Sequence, residues 1–298
     1  VIVSAPTGAG KTAIAEYVIQ TCLEQNVGVI YTAPIKALSN QKFRDFQGHY
    51  SDKIGILTGD VSINADAPVL IMTTEIFRNK VLDEPESLKK YSWIIYDEIH
   101  YIDNYERGTV WEESLVFLPK HMNLLGLSAT IPNIKQLANW VATIHNKPVQ
   151  VVVEEKRPVP LHFFFQYHNQ VVDRIADLRK SAAAKSNKLH GLVDYIRTRE
   201  GLPCIYFVFG RKRTEDLAFE LSSYNFLNDS EQREIVNMFH SLCERFDLVN
   251  ETSASLIYPL IKRGIAYHHA GMLPTLKEVI ERLFTSRLIK VIFTTETF

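Results

Sequence analysis

Short apolar runs alternate with longer stretches of mixed polarity along the first half of the chain. The apolar runs are VIVS (1–4), VGVIYTA (27–33), IGILT (54–58), PVLIMTT (68–74), WIIYD (93–97), NLLGLSA (123–129) and PVQVVVEE (148–155). The stretches between them have helical character and predict helices at residues 11–25, 36–47, 75–81, 110–117 and 133–144. Nearly continuous apolar strands that alternate with helices are typical of a parallel sheet covered on both faces.

The second half of the chain repeats this pattern after RPVPL (157–161), whose two prolines favour an extended linker. The predicted strands lie at residues 161–167, 203–209, 265–270 and 290–295, and the predicted helices at 171–199, 213–223, 231–247, 253–263 and 275–285. The sequence therefore predicts an α/β fold with a first domain at residues 1–153, a linker at 154–160 and a second domain at 161–298.

Composition limits the function classes that this chain can serve. The 298 residues are 46% hydrophobic and 22% charged, with a net charge of -1 and a pI of about 6.9. Any nucleic acid must therefore bind in a local groove and not on a globally basic surface. The three widely spaced cysteines predict a reducing compartment, which the cytoplasm, the nucleus or an organelle stroma would provide. Since no apolar run reaches membrane-spanning length, no membrane partner is expected.

The string APTGAGKT (5–12) follows a strand and opens a helix, which is the context of a phosphate-binding P-loop. Gly8 and Gly10 permit positive φ and let backbone N–H groups approach phosphate oxygens, while the helix N-terminus adds partial positive charge. Lys11 is expected to reach the β- and γ-phosphates, and Thr12 offers its hydroxyl to Mg²⁺. The predicted ATP-binding residues are Ala5, Pro6, Thr7, Gly8, Ala9, Gly10, Lys11 and Thr12, with Ala5 standing where the general pattern begins with Gly.

The string DEIH (97–100) follows a buried strand and supplies a pair of carboxylates at the sheet edge where ligands of open α/β sheets bind. Asp97 is expected to hold Mg²⁺, and Glu98 to orient and deprotonate the attacking water. A partner for His100 is expected in Ser128, Ala129 and Thr130, at the end of the next strand. A hydroxyl–imidazole link there would connect the nucleotide state to the rest of the domain.

The ordered strings resemble the motifs of superfamily-2 helicases, and this resemblance covers essentially the whole chain. Its carriers are APTGAGKT, TAPIKALSNQK (32–42), TGD (58–60), TTEIFRN (73–79), DEIH and SATIPN (128–133). The longer strings ERGTVWEE (106–113), GIAYHHAGMLPTLKEVIERLF (264–284) and IKVIFTTETF (289–298) resemble the superkiller-type branch. That branch comprises the exosome-associated DExH-box RNA helicases and their bacterial and chloroplast relatives. The resemblance implies two tandem RecA-like P-loop domains, both truncated at the chain ends.

The resemblance also implies roles for individual residues. Lys11, Asp97 and Glu98 would be catalytic, with Thr12 and Asp97 as Mg²⁺ ligands and with His100, Ser128, Ala129 and Thr130 coupling hydrolysis to movement. Nucleic acid would be bound in the first domain by Pro34, Lys36, Gly59, Thr73, Thr74 and Arg78. In the second domain it would be bound by Phe209, Arg211, His269, Gly271, Thr294 and Thr295. Backbone and hydroxyl contacts to phosphates would give a grip that is independent of sequence.

The implied function is an ATP-dependent RNA helicase core that moves 3′ to 5′ on single-stranded RNA and unwinds duplexes in RNA decay or processing. The implied cofactors are ATP and Mg²⁺. The implied partners are an RNA with a single-stranded tail or a duplex, together with a ribonuclease or an exosome-like decay complex. Two alternatives remain open on the residues alone, namely a DNA repair helicase of a neighbouring branch and an RNA-binding regulatory ATPase.

Two departures from the family pattern concern the ends of the chain. The first residue is not Met and lies in a strand-like run, and the chain stops before an arginine-rich motif whose arginines reach the γ-phosphate. We therefore expect the chain to be part of a longer protein, and residues 1–298 alone to hydrolyse nucleotide poorly.

Overall fold

The computed structural model describes residues 1–167, 170–177 and 189–295. The chain divides into two compact units, Val1–Leu161 and His162–Phe298. Both units combine parallel sheet with helices, so the predicted α/β fold class is confirmed.

The first unit is built on one eight-stranded sheet. Its strands are β1 Ile2–Ser4, β2 Gly28–Ala33, β3 Ile54–Leu57, β4 Ser62–Ile63, β5 Val69–Thr73, β6 Tyr91–Tyr96, β7 Asn123–Ser128 and β8 Val151–Val153. Their order across the sheet is β4-β3-β5-β2-β6-β7-β1-β8. All neighbours pair in parallel except β4, which runs antiparallel to β3. The pattern missed β4 because it is two residues long and exposed on both.

Helices cover both faces of this sheet. They are α1 Lys11–Glu24, α2 Lys36–Tyr50, α3 Thr74–Asp83, α4 Gly108–Val116 and α5 Ile134–His145, with short 3₁₀ turns at Ser51–Lys53, Pro85–Leu88 and Ile99–Asp103. Successive residues of a strand point to opposite faces, so Ile94 and Ile95 of β6 belong to two separate hydrophobic clusters. One cluster contains Ile19 of α1, and the other contains Phe77 of α3 and Val141 of α5. The apolar strand runs follow from this two-sided burial.

The second unit is smaller and mixes two kinds of sheet. Its strands are β9 Phe165–Tyr167, β10 Gln170–Val172, β11 Cys204–Phe207, β12 Ile265–His268 and β13 Val291–Thr294. Its helices are α6 Leu189–Thr198, α7 Arg211–Glu220, α8 Asp229–Arg245, α9 Thr252–Ile261 and α10 Pro274–Thr285, with a 3₁₀ turn at Ile175–Asp177. The parallel sheet has the order β11-β13-β12, and β9 pairs with β10 in an antiparallel hairpin. Among the helices of the described residues, none is both long and apolar enough to cross a bilayer.

The start of the second unit differs from the prediction. The helix predicted at residues 171–199 is confirmed at its end by α6, but it is wrong at its start, where β10 and a 3₁₀ turn lie. Its residues 178–188 lie outside the described part of the chain. The strand predicted at residues 161–167 is confirmed only from Phe165 onward, where β9 begins. Its apolar run favours burial, but Phe163 and Phe164, which precede β9, are 67% and 55% exposed. Within the described residues, β9 pairs with β10 alone.

Trp111 of α4 is a fully buried anchor of the first unit. Its ring stacks on Tyr101 with centroids 5.8 Å apart and an interplanar angle of 25°. We expect Trp111→Ala to lower the free energy of unfolding by about 3–5 kcal/mol, because the deletion leaves a cavity in a packed core.

Denaturant titration measures this loss, and Trp140→Ala provides the control. Trp140 of α5 is 36% exposed, so its truncation should cost about 1 kcal/mol or less. Equal losses for the two variants would contradict the assignment of Trp111 as a core anchor.

Candidate nucleotide and nucleic-acid sites

The central strands of the first unit deliver three predicted motifs to one edge of the sheet. β6, β7 and β1 are consecutive neighbours and run parallel, so their carboxyl ends lie at the same edge. The phosphate loop follows β1, the carboxylate pair follows β6, and Ser128–Thr130 closes β7. Ligands of open α/β sheets bind at this edge. The fold thus assembles residues that are separated by more than a hundred positions in the sequence.

The loop between β1 and α1 has the backbone of an anion cradle. Gly8 and Gly10 both have φ of 84°, a left-handed conformation that residues with a Cβ rarely adopt. Gly10 is the N-cap of α1 and brings no side chain to satisfy the first N–H groups of the helix. A Cβ at Gly10 would meet nothing within 4 Å, so the loop opens onto free space at this point. Of the first N–H groups of the helix, that of Ala13 donates to the Gly10 carbonyl at 3.0 Å. A helix start of this kind is suited to bind phosphate oxygens.

Two lysine ammonium groups lie at this loop. Lys11 Nζ donates to the carbonyl oxygens of Ala5 at 2.8 Å and Pro6 at 3.3 Å, so it folds back over the loop that it follows. Lys42 Nζ, from α2, donates to Thr12 Oγ1 at 3.1 Å. Lys42 was not among the predicted site residues, although it ends the string TAPIKALSNQK (32–42). Two cations within reach of one loop favour a phosphorylated ligand.

Asp97 is held rigidly at the end of β6. Tyr31 of β2 donates its hydroxyl to Asp97 Oδ2 at 2.5 Å, and the backbone N–H of Glu98 donates to Asp97 Oδ1 at 3.0 Å. Burial, followed by the neighbouring Asp97 carboxylate, raises the pKa of Tyr31 well above its ordinary range, so the phenol keeps its proton. Tyr31 was missed because β2 is read as an apolar core strand, and only the parallel pairing of β2 with β6 brings its hydroxyl to Asp97.

Glu98 is in a strained and poorly solvated position. It has φ of 51°, an uncommon value for a residue with a Cβ, and this turns the chain sharply at the strand end. Its Oε2 is buried, and within the described residues it receives no hydrogen bond. Burial, followed by the adjacent Asp97, raises the pKa of Glu98, while Lys11 and Lys42 oppose the shift. A carboxylate oxygen without a donor is suited to accept a proton from a water molecule.

His100 is linked to the end of β7 by a backbone group. Its Nδ1 accepts the N–H of Ala129 at 3.4 Å, so the predicted hydroxyl donor is wrong. Because that nitrogen is an acceptor, it has no proton for Glu98 Oε2, which lies 3.2 Å away. Burial, and then the positive charge of Lys11, lower the pKa of His100 and keep its ring neutral.

The segment Ser128–Thr130 is also hydrogen-bonded to the end of β1 and to the start of the phosphate loop. The N–H of Ala5 donates to the Ser128 carbonyl at 3.1 Å, and Ser4 Oγ donates to the Ala129 carbonyl at 3.2 Å. The Ser128 side chain is fully buried, whereas Thr130 is exposed. Because of these hydrogen bonds, a displacement of the phosphate loop would also move this segment.

The predicted nucleic-acid residues of the first unit follow β2, β3 and β5, at the same sheet edge. Lys36 is exposed and its Nζ lies 3.1 Å from Asp60 Oδ1, next to Gly59. Hydrogen bonds from Lys36 lower the pKa of Asp60. Thr73 and Thr74 are buried, and Thr74 Oγ1 donates to the Ala33 carbonyl at 3.4 Å. The exposed Lys36 side chain is therefore more accessible to a ligand than these two hydroxyls.

Two ion pairs brace α3 against α4 beside this surface. Arg78 of α3 lies 3.1 Å from Glu113 of α4, measured from Nη1 to Oε2. Arg107, which precedes α4, donates from Nε to Glu75 Oε1 at 3.1 Å and also contacts the Pro34 carbonyl. Arg78, which was predicted to bind nucleic acid, thus forms an ion pair that links α3 to α4. Arg107 was missed as a supporting residue, although the string ERGTVWEE contains it.

In the second unit the predicted residues lie at the carboxyl ends of β11, β12 and β13. Phe209 is fully exposed and Arg211 begins α7, so both are open to solvent. His269 and Thr294 are buried, and Thr294 Oγ1 donates to the Thr295 carbonyl at 2.9 Å. An exposed aromatic ring at a strand end provides a face on which a base can stack.

Comparison with known proteins agrees with this geometry. Residues 1–137 match the family described as DEAD/DEAH box helicase. The whole chain aligns at 40% identity with the DExH-box ATP-dependent RNA helicase DExH9 of Arabidopsis thaliana, covering 34% of that protein. It aligns at 38% with the exosome RNA helicase MTR4 of Homo sapiens and at 36% with the superkiller complex protein 2 of Mus musculus, covering 32% and 27% of them. The chain spans about a third of the length of these curated relatives.

Residues 1–137 therefore form a domain of the DEAD/DEAH box helicases. The resemblance to their superkiller-type, exosome-associated branch is confirmed by relatives that align over the whole chain. Membership in the family carries a RecA-like P-loop fold, in agreement with the mostly parallel sheet of the first unit. The roles of the individual DEAD/DEAH box residues stay predictions.

The hydroxyl of Tyr31 gives a test of how this helicase domain holds its acidic strand end. We expect Tyr31→Phe to lower the free energy of unfolding by about 1.5–3 kcal/mol, because it removes a hydrogen bond to a carboxylate. Tyr91→Phe is the matched control, since Tyr91 donates to the neutral carbonyl of Ala67 at 3.1 Å. Its loss should be about 0.5–1.5 kcal/mol in the same denaturant titration. A smaller loss for Tyr31→Phe than for Tyr91→Phe would contradict this account.

Proposed function

We propose that this chain is the ATP-hydrolysing core of an RNA helicase that moves along single-stranded RNA and unwinds duplexes. The observation that carries the proposal is the convergence of the phosphate loop, the carboxylate pair and the end of β7 at one sheet edge. Relatives that align over the whole chain include one named as an ATP-dependent RNA helicase and one named as an exosome RNA helicase, which supports RNA as the substrate class.

The residues at the loop fit an ATP·Mg²⁺ complex. The N–H groups at the start of α1 and the Lys11 ammonium would bind the phosphates. Thr12 Oγ1 already receives a cation, the ammonium of Lys42, and hydroxyl and carboxylate oxygens are the ligands that Mg²⁺ prefers. Thr12 and Asp97 would therefore hold the metal, which supplies charge neutralisation on the phosphates.

Glu98 would act on the water that attacks the γ-phosphate. Its buried Oε2 receives no hydrogen bond from the part of the chain that the structure describes, and its raised pKa makes the carboxylate a better proton acceptor than an exposed Glu. Asp97, held by Tyr31 and the backbone N–H of Glu98, would keep its place while the proton moves.

RNA would lie along the strand ends of each unit and be held chiefly by its phosphates and sugars. A net charge of -1 is compatible with such a grip because local N–H groups, Lys36 and Arg211 supply the positive potential. The exposed ring of Phe209 would stack on a base without reading sequence. These features support binding that does not depend on base identity.

The biological setting of the proposal comes from the relatives. Their names include an exosome RNA helicase and a superkiller complex protein. We propose movement from 3′ to 5′ and a role in RNA decay or processing, together with a ribonuclease or an exosome-like complex. The three widely spaced cysteines favour a reducing compartment, which the cytoplasm, the nucleus or an organelle stroma would provide.

Glu98→Gln tests the chemistry directly. We expect the kcat of RNA-stimulated ATP hydrolysis by the full-length protein to fall by about a hundredfold or more, because the amide cannot accept a proton. RNA affinity, measured by fluorescence anisotropy, should stay within about twofold of wild type, since Glu98 would not bind RNA. Glu24→Gln, at an exposed position of α1, is the control and should hydrolyse ATP normally. Full activity of Glu98→Gln would refute the proposed role.

A second experiment separates the proposal from a DNA helicase and from a regulatory ATPase. Single-stranded RNA and DNA of the same sequence and length are compared as stimulators of ATP hydrolysis, because the 2′-hydroxyl is the feature to be sensed. We expect RNA to stimulate at least about tenfold more at equal concentration, which corresponds to about 1.4 kcal/mol of discrimination. Preference for DNA would establish the first alternative. RNA stimulation without displacement of a paired strand would establish the second.

A further inference from the structure

Two adjacent histidines at the end of β12 make separate contacts with two helices. His268 Nε2 lies 3.2 Å from Glu281 Oε1 of α10, and His269 Nε2 lies 2.8 Å from Glu215 Oε1 of α7. Both rings are buried, while the two glutamates are exposed to a similar extent, 43% for Glu281 and 42% for Glu215. Two neighbouring histidines therefore each contact a glutamate, one on α10 and the other on α7.

The hydrogen bonds of His269 define its protonation state. Its Nδ1 accepts the backbone N–H of Gly271 at 3.1 Å, so this nitrogen has no proton. Nε2 must then carry the hydrogen and donate it to Glu215, which makes the ring neutral. The ring is also stacked on Tyr267, with centroids 5.9 Å apart and an interplanar angle of 9°. Both nitrogens and one face of the ring are thus occupied within the unit.

The turn that His269 supports lies against the start of α7. A Cβ at Gly271 would lie 3.2 Å from Arg211 Cδ and 3.2 Å from His269 Nδ1, closer than most Cβ contacts. Arg211 and Gly271 belong to two different predicted RNA-binding segments, one after β11 and one after β12. Glu215 is one turn along α7 from Arg211, so a single helix contacts the turn at two points.

We propose that Glu215 is a positioning residue for RNA binding, acting through His269. The Glu215 carboxylate accepts the Nε2 hydrogen and so stabilises the tautomer in which Nδ1 carries no hydrogen. Nδ1 then accepts the N–H of Gly271, which fixes the position of the turn at 269–271 relative to Arg211. In this assignment His269 supports the RNA-binding turn and does not itself contact RNA. The expected effect on RNA binding rests on the proposed function. The expected effect on the structure of the turn can be measured without RNA.

The experiment compares three variants of the full-length protein, namely Glu215→Ala, Glu215→Gln and the matched control Glu281→Ala. We expect Glu215→Ala to raise the KM for single-stranded RNA in ATP hydrolysis about fivefold with kcat within about twofold, because the turn loses one partly buried charge-assisted hydrogen bond. Glu215→Gln should restore most of the affinity, since its amide oxygen still accepts Nε2–H. Glu281→Ala should leave the KM for RNA unchanged.

Hydrogen exchange followed by mass spectrometry supplies the second readout without RNA. Glu215→Ala should accelerate exchange in peptides that contain Gly271, whereas Glu281→Ala should not. Unchanged exchange in Glu215→Ala, or an equal rise in the KM for RNA with Glu281→Ala, overturns the proposal. If wild type shows no RNA-stimulated hydrolysis, the proposed function fails, and the exchange experiment still decides whether Glu215 holds the turn.

Discussion

Parallel pairing of β1, β6 and β7 is the constraint on which the nucleotide site depends. Parallel strands deliver all their carboxyl ends to one edge, so the loops that follow them meet without any direct attraction between those loops. The register is fixed by the packing of two hydrophobic clusters, one on each face of the sheet, since a shift by one residue would exchange the side chains that face each cluster. The site is therefore as well defined as the core beneath it. Chemistry at the edge needs only short loops with suitable side chains.

Burial at that edge perturbs the electrostatics of the carboxylate pair. Glu98 is partly removed from water and lies beside Asp97, which raises its pKa, while Lys11 and Lys42 supply positive charge nearby. An isolated pair of carboxylates would be costly to bury, but the hydroxyl of Tyr31 and two lysines make the arrangement tolerable. The left-handed backbone of Glu98 is a further cost concentrated at this site.

In both units, charged side chains support loops that follow strands. In the first, Arg107 joins the Pro34 carbonyl to Glu75, and in the second, Glu215 reaches the turn of Gly271 through His269. Each uses a charged side chain from a helix, or from just before a helix, to hold a loop that follows a strand. Such residues preserve the spacing of backbone groups, which would matter for the proposed RNA-binding surface because its backbone N–H groups would bind the phosphates.

The sequence by itself determined the fold class, nearly all the strands and helices, the phosphate loop and the carboxylate pair. Each of these is a local pattern, because apolar runs, glycine spacing and adjacent carboxylates are visible within a few residues. The prediction was wrong at the start of the second unit, where Phe163 and Phe164 are apolar but exposed.

Only the tertiary structure decided which side chains hold the site together. Tyr31 meets Asp97 across 66 positions, and His269 meets Glu215 across 54. The donor to His100 is the backbone of Ala129, and Arg78 is paired with Glu113. These contacts depend on strand order and helix packing. A tyrosine in an apolar strand or a glutamate on a helix carries no local mark of its partner, since that partner is chosen by distance in space.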